Sequence, residues 1–271
     1  MGRNRTRSSQ LSRSCLPCRD DTDLRLASSQ APRTKARGAV LARWCLLLGG
    51  ITYSSWALGF LVPTGLSQRA AYASELEAAG QPYGWLFRSS DVVSGLLLAA
   101  GALLALRGSA RGNDRFAGND GSAWAWPRIL LAGVVVTGVT TAIAAPLTVD
   151  CTSSTGSCTV LRARGVPRSW HDVAHHALSN VAGWGFAATL VALLVLALRD
   201  VLILRGAGRR TERVPDRRLT RGVVVALVLL AAATSSPAGD LFWVASWRGV
   251  PQRINEAVES AVFVVLAWGV T

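Results

Sequence analysis

The sequence predicts an all-α integral membrane protein, a bundle of six transmembrane helices with both the N and the C terminus in the cytoplasm. Three observations carry that prediction. The apolar residues come in long blocks. Charged residues make up only 17% of the chain, against about 25% in an average soluble domain. The arginines collect in every second segment between the blocks.

A helix rises about 1.5 Å per residue, so crossing a hydrocarbon core about 30 Å thick takes about 20 mostly apolar residues. Six stretches meet or approach that length: 38–62, 91–106, 129–149, 170–198, 222–244 and 251–271. The second is the shortest and extends into Arg107 and Gly108. Orientation follows from the basic residues, which are retained on the cytoplasmic side. Ten lie in the N-terminal segment through Arg43, four between Arg107 and Arg128, and eight between Arg199 and Arg221. The alternate segments hold two, three and two. The bias predicts an even number of spans and turns the loops at 63–90, 150–169 and 245–250 outward. The first 37 residues, polar and rich in Arg and Ser, are expected to be a disordered basic cytoplasmic tail, with a six-helix transmembrane domain over 38–271. No signal peptide is expected, because the first apolar block is too long and too far from the start.

The net charge of +13 raises the question of nucleic acid. The basic residues lie between apolar blocks, however, and form no platform that reads bases, so no nucleic-acid partner is expected. Nor is there a Walker loop, a dinucleotide fingerprint or a nucleophile elbow.

The five cysteines fall into three settings. Cys15 and Cys18 form a Cys-x-x-Cys in the tail, without the strand–helix context or second ligand pair that chemistry there would need. Cys45 reads as a small buried residue of the first span. Cys151 and Cys158 bracket Thr-Ser-Ser-Thr-Gly-Ser in a loop expected to face the oxidising side, and are predicted to form a disulfide.

In this order and placement the motifs resemble a bacterial membrane family, the domain of unknown function 998. They are Ser74-Glu75-Leu76, then Arg88 and Asp91, Asp150-Cys151 with Cys158, the stretch from His171 to His176, and Gln252-Arg253. The resemblance covers residues 40–271. It implies six spans in a bacterial cytoplasmic (plasma) membrane and carries no activity.

Polar groups gather at the outward ends of the predicted spans: Glu75, Asp91, Asp150, Asp172, Asp240, Glu256 and Glu259, with all three histidines. Much of this has a local explanation. Ser169 and Asp172 fit a capping box for span four, Ser89 or Ser90 with Asp91 a cap for span two, and Arg253 an ion pair with Glu256 one turn on. Three functional readings stand beside it. The favoured one is non-enzymatic. Spans two, four and six start at the outer face, where helix N-termini attract anions. Arg88, Arg168 and Arg253, with Asp91 and Glu256, would there bind a lipid headgroup or an envelope partner. Membrane lipids are then the expected partners, and no cofactor is needed. The second is an intramembrane metal-dependent hydrolase, with His171 and His175 one turn apart as ligands for zinc or another divalent metal and Asp91 or Glu256 completing the set. The third is a transporter or ion-translocating protein using Glu256, Glu259 and Asp240.

Overall fold

The computed structural model describes residues 21–110, 125–206 and 247–269. The span expected at 222–244, with Asp240, lies outside the described residues, as do Cys15 and Cys18. Among the described residues the structure is all-helical, without a strand. It runs α1 (Asp21–Tyr53), a 3-10 helix (Ser54–Phe60), a second 3-10 helix (Ala73–Glu77), α2 (Gly84–Ala110), α3 (Ala125–Ala144), α4 (Ser157–Ala163), α5 (Trp170–Gly206) and α6 (Gly249–Gly269). The chain divides into two compact units, Met1–Arg37 and Gly38–Thr271. The residues discussed below belong to the second.

Three helical segments, Gly84–Ser109, Ala125–Ala144 and Trp170–Arg199, are long and apolar enough to cross a membrane. The chain is a transmembrane protein by that measure. Residues such as Leu96, Ile143, Val181, Trp184 and Val191 point outward from these helices. An apolar outer surface of this extent is costly in water and suits lipid. Helix α6 has 21 residues but carries Arg253, Glu256 and Glu259 within its first eleven.

Small residues let the helices approach closely, the packing device of membrane bundles. Gly95 of α2 and Gly138 of α3 face each other, and a Cβ on Gly138 would lie 2.6 Å from the Gly95 carbonyl oxygen. Gly133 of α3 and Gly185 of α5 repeat the arrangement, with a Cβ on Gly133 2.5 Å from the Gly185 carbonyl. Two hydroxyls add hydrogen bonds across α3 and α5, Thr137 Oγ1 to Ala182 O at 3.1 Å and Thr189 Oγ1 to Leu130 O at 3.3 Å. Phe263 of α6 is fully buried and meets Tyr53 of α1 and Phe186 of α5 edge to face, with ring centroids 5.7 and 5.9 Å apart.

Two helix boundaries depart from expectation in ways that matter for the site. The α-helical part of the first span ends at Tyr53, and the chain tightens into a 3-10 helix through Phe60. Helix α2 begins at Gly84, not near Asp91, because Tyr83 turns the chain with φ of 67° and its carbonyl accepts from the Leu86 amide at 2.8 Å. Asp91 therefore caps nothing. It sits about two turns inside the helix, and Ser89 Oγ donates to the Leu86 carbonyl instead.

Candidate functional site

The loop between α1 and α2 is pinned to the bundle by two of the arginines singled out above. Arg253, 4% exposed, donates through Nη1 to the carbonyls of Gln68 and Ala71, both at 2.6 Å, and through Nη2 to Gln68 Oε1 at 2.8 Å. Its neighbour Gln252 accepts the Ala73 amide at 2.9 Å, and the Gly249 amide donates to the Arg69 carbonyl at 2.8 Å. Arg88 donates to the carbonyl of Glu77 at 2.8 Å. The third arginine is elsewhere: Arg168 pairs with Asp172 at 2.6 Å. Each of the three guanidiniums is thus engaged by acceptors of the protein itself. The expected Arg253–Glu256 ion pair is not formed, since the guanidinium fork turns toward loop carbonyls.

The second loop is held by the expected disulfide. Cys151 and Cys158 are bonded, with Cα atoms 5.2 Å apart, and the ring they close leads into α4. The Ser154 amide and hydroxyl donate to the buried Glu75 carboxylate, joining this loop to the first. Asp150 accepts from the Ser169 amide at 2.8 Å and the Ser169 hydroxyl at 2.5 Å. Burial pushes the Asp150 carboxyl up, but these hydrogen bonds, with His171 and Arg162 nearby, outweigh it and hold the carboxyl below the usual aspartate range. The Asp172 amide donates to Ser169 Oγ at 3.2 Å, so Ser169 caps α5 as its spacing predicts.

Two of the three histidines bond backbone carbonyls at the end of α3 and just beyond it. The last carbonyls of α3 have no partners within the helix. His175 Nδ1 takes the Ala144 carbonyl at 3.1 Å, and His171 Nδ1 takes that of Thr148, just beyond α3, at 2.9 Å. A carbonyl only accepts, so both Nδ1 atoms carry hydrogen. Among the described residues no group of three or more His, Cys, Asp or Glu is placed to hold a metal ion.

What the fold does bring together is acid. Beneath the first loop lies a cavity of about 240 Å³ into which Glu77, Asp91, Glu256 and Glu259 all open. Asp91 and Glu256 each stand about 10 Å along their helices from Gly84 and Gly249, at about 1.5 Å per residue, so they reach similar depth from the loop end. The Glu77 and Asp91 carboxyls are neighbours in this lining. Burial first, then the Asp91 and Glu256 carboxyls, push Glu77 well above the ordinary glutamate range, with Arg88 opposing. Glu259 is satisfied by protein: the Tyr53 hydroxyl donates to it at 2.5 Å and Asn255 Nδ2 at 2.8 Å. Glu77 Oε2 and Glu256 Oε2 are not. Among the described residues neither buried atom has a hydrogen-bond partner, and nor has the buried indole nitrogen of Trp56, another residue of the lining. An orphaned buried polar atom costs about 1–3 kcal/mol, more when charged.

Asp91 and Glu256 line the same cavity, and Arg88, Arg168 and Arg253 are not among its lining residues. Glu77, Tyr53, Trp56 and Asn255 were not among the residues singled out from sequence. One signal was available: Gln252, Asn255, Glu256 and Glu259 recur at the spacing of a single helix face. Glu77 had none, because it comes from a loop.

No curated protein and no solved structure matches the chain. The family described as "Protein of unknown function (DUF998)" matches residues 46–269, which include every residue lining the cavity, and the chain belongs to that family.

Proposed function

We propose that this is a multi-pass protein of the plasma membrane, with six spans and both termini cytoplasmic, that binds a cationic group in the acid-lined cavity at its outer face without performing catalysis. The sidedness rests on the arginine bias of the loops and fits a disulfide on the oxidising side. The binding reading rests on one observation. Four acidic side chains line one cavity, no arginine lines it, and Arg88 and Arg253 are turned onto loop carbonyls. Such a site is electrostatically incomplete until a positive group with donors enters it. The lipid-headgroup reading survives in altered form: the headgroup's cation, not its phosphate, is what the cavity suits.

The test is thermal unfolding of the full-length protein in detergent, titrated separately with ethylammonium, sodium and magnesium chlorides. The Glu77→Gln/Glu256→Gln double variant is measured in parallel. At a hundredfold excess over the dissociation constant a bound cation stabilises by about 2.7 kcal/mol. At least one cation is expected to raise the midpoint of the wild type and not that of the variant. Equal responses of wild type and variant to every cation, or no response of the wild type to any, would overturn the proposal.

A second reading, ion translocation, is favoured by Glu259, which lies one turn beyond Glu256 and is joined to Tyr53 and Asn255. The acids then form an inward series for protons. Proton flux in proteoliposomes that Glu256→Gln abolishes is the expected result of that reading.

A further inference from the structure

We propose that residues 158–170 form a docking surface for anionic phospholipid headgroups, at the end of the bundle that carries the disulfide. The inference is independent of what the acid-lined cavity binds. It needs only that the long apolar helices lie in a membrane.

Two tryptophans mark the depth of this end. Trp170 is the first residue of α5 and 73% exposed, and Trp85, next to the start of α2, is 66% exposed. Each opens an apolar segment long enough to cross a membrane, and tryptophans at span ends sit at headgroup level. The segment before Trp170 cannot stray far from that level. Arg168 is two residues away, at most about 7 Å of chain, and the far end of the segment is tied down by the Cys151–Cys158 bond. Its exposed side chains are of two kinds. Val160, Val166 and Trp170 are apolar, and Arg162, Arg164 and Arg168 are basic. That mixture suits the boundary between acyl chains and headgroups.

The sign of the exposed charge selects the lipid. At this end of the bundle, among the described residues, no aspartate or glutamate is exposed. Glu75, Glu77 and Asp172 are buried, and Asp150 is half-buried and held by Ser169. The exposed permanent charges are all arginine: Arg162, Arg164 and Arg168, with Arg69 and Arg248 elsewhere at the same end. Arg168 is already paired with Asp172, so Arg162 and Arg164 give the segment its net positive charge. Arg162 Nη1 donates to the Val166 carbonyl at 3.0 Å, and the other N–H groups of the guanidinium are donors suited to phosphate oxygens. A nucleic acid or an acidic protein would meet the arginines. It would leave Val160, Val166 and Trp170 in water, whereas an anionic bilayer satisfies both kinds of side chain.

The test is hydrogen–deuterium exchange of the full-length protein in nanodiscs of phosphatidylcholine alone and of phosphatidylcholine mixed with phosphatidylglycerol. An arginine close to an anionic bilayer favours contact by about fivefold. Arg162 and Arg164 together therefore predict exchange over 157–169 roughly 25-fold slower in the anionic disc. Arg162→Gln/Arg164→Gln is expected to shrink that difference to about twofold or less, and Arg162→Lys/Arg164→Lys to keep most of it. Arg107→Gln/Arg128→Gln, which removes two exposed arginines at the opposite ends of α2 and α3, is expected to leave it unchanged. Sodium chloride at about 1 M, where the screening length falls to about 3 Å, is expected to abolish it. Equal exchange in the two discs, or a difference that survives Arg162→Gln/Arg164→Gln, overturns the docking. A difference lost equally in Arg107→Gln/Arg128→Gln reports only the net charge of the protein and overturns it too. Protection by soluble polyaspartate in the phosphatidylcholine disc, with none from phosphatidylglycerol, overturns it in favour of an acidic protein partner.

Discussion

Replacing Arg253 with methionine separates a loop clamp from a lipid ligand. Methionine keeps much of the aliphatic stem and removes the donors. The Gln68 and Ala71 carbonyls, each 2.6 Å from Nη1, then lose a charged partner. The Gly249 carbonyl, bonded by the same nitrogen at 3.2 Å, stays within its own helix. Gln68 keeps its bond to the Gly59 carbonyl at 2.8 Å. Three stranded acceptors, the two carbonyls and Gln68 Oε1, at about 1–3 kcal/mol each, discounted for partial rehydration, give a loss of about 3 kcal/mol. At about 1.4 kcal/mol per factor of ten, opening of the first loop becomes roughly a hundredfold more frequent. Hydrogen–deuterium exchange of the full-length protein reads this directly. Peptides covering 64–78 are expected to exchange about a hundredfold faster, with α3 and the buried face of α5 unchanged. Unchanged protection over 64–78, with bound lipid lost instead, would refute the clamp and restore the arginine to an anion-binding role. Uniform loss of protection would mean that Arg253 supports the whole bundle.

Three further outcomes follow from the same packing. Closing the eight-residue ring from Cys151 to Cys158 contributes about 2.5 kcal/mol in the chain-entropy model. The Cys151→Ser/Cys158→Ser variant should therefore melt lower than the oxidised wild type and match the reduced wild type. Gly133→Ala places a Cβ 2.5 Å from both the Gly185 carbonyl and Thr189 Oγ1, whereas Gly183→Ala meets nothing within 4 Å. The first should cost about 1–3 kcal/mol in a denaturation midpoint and the second close to nothing. Glu77 is raised in the folded state, so its contribution is fully present below the unfolded value of 4.5 and is lost as pH rises through the elevated folded value. Exchange protection of the first loop should fall with rising pH, and Glu77→Gln, which stays neutral, should flatten that profile.

The features legible in the sequence were those set by local composition. Apolar block length located the helices at 84–109, 125–144 and 170–199 to within a few residues, except for the early start of α2. The start of α5 was readable because Ser169 and Asp172 form a contiguous cap, and the disulfide because its two cysteines are separated only by a short flexible run. The site was harder because its partners are remote in sequence. Arg253 and Glu256 looked like a natural ion pair one turn apart. Nothing local announces that carbonyls at 68 and 71, about 180 residues away, will compete for the guanidinium. His171 and His175 have the spacing of metal ligands, but backbone carbonyls at and just beyond the end of α3 lie within reach of their Nδ1 atoms. Asp91 looked like a cap because the apolar run begins there, whereas the helix starts at Gly84, where Tyr83 turns the chain. That shift carries Asp91 into the interior beside Glu77.

The most direct test is an experimental map of the cavity with the protein in a nanodisc containing phosphatidylethanolamine. Non-protein density is expected within hydrogen-bond distance of Glu77 and Glu256, with Arg253 still on the loop carbonyls. A cavity filled by the protein's own side chains, or an arginine turned in to neutralise the acids, would contradict the account.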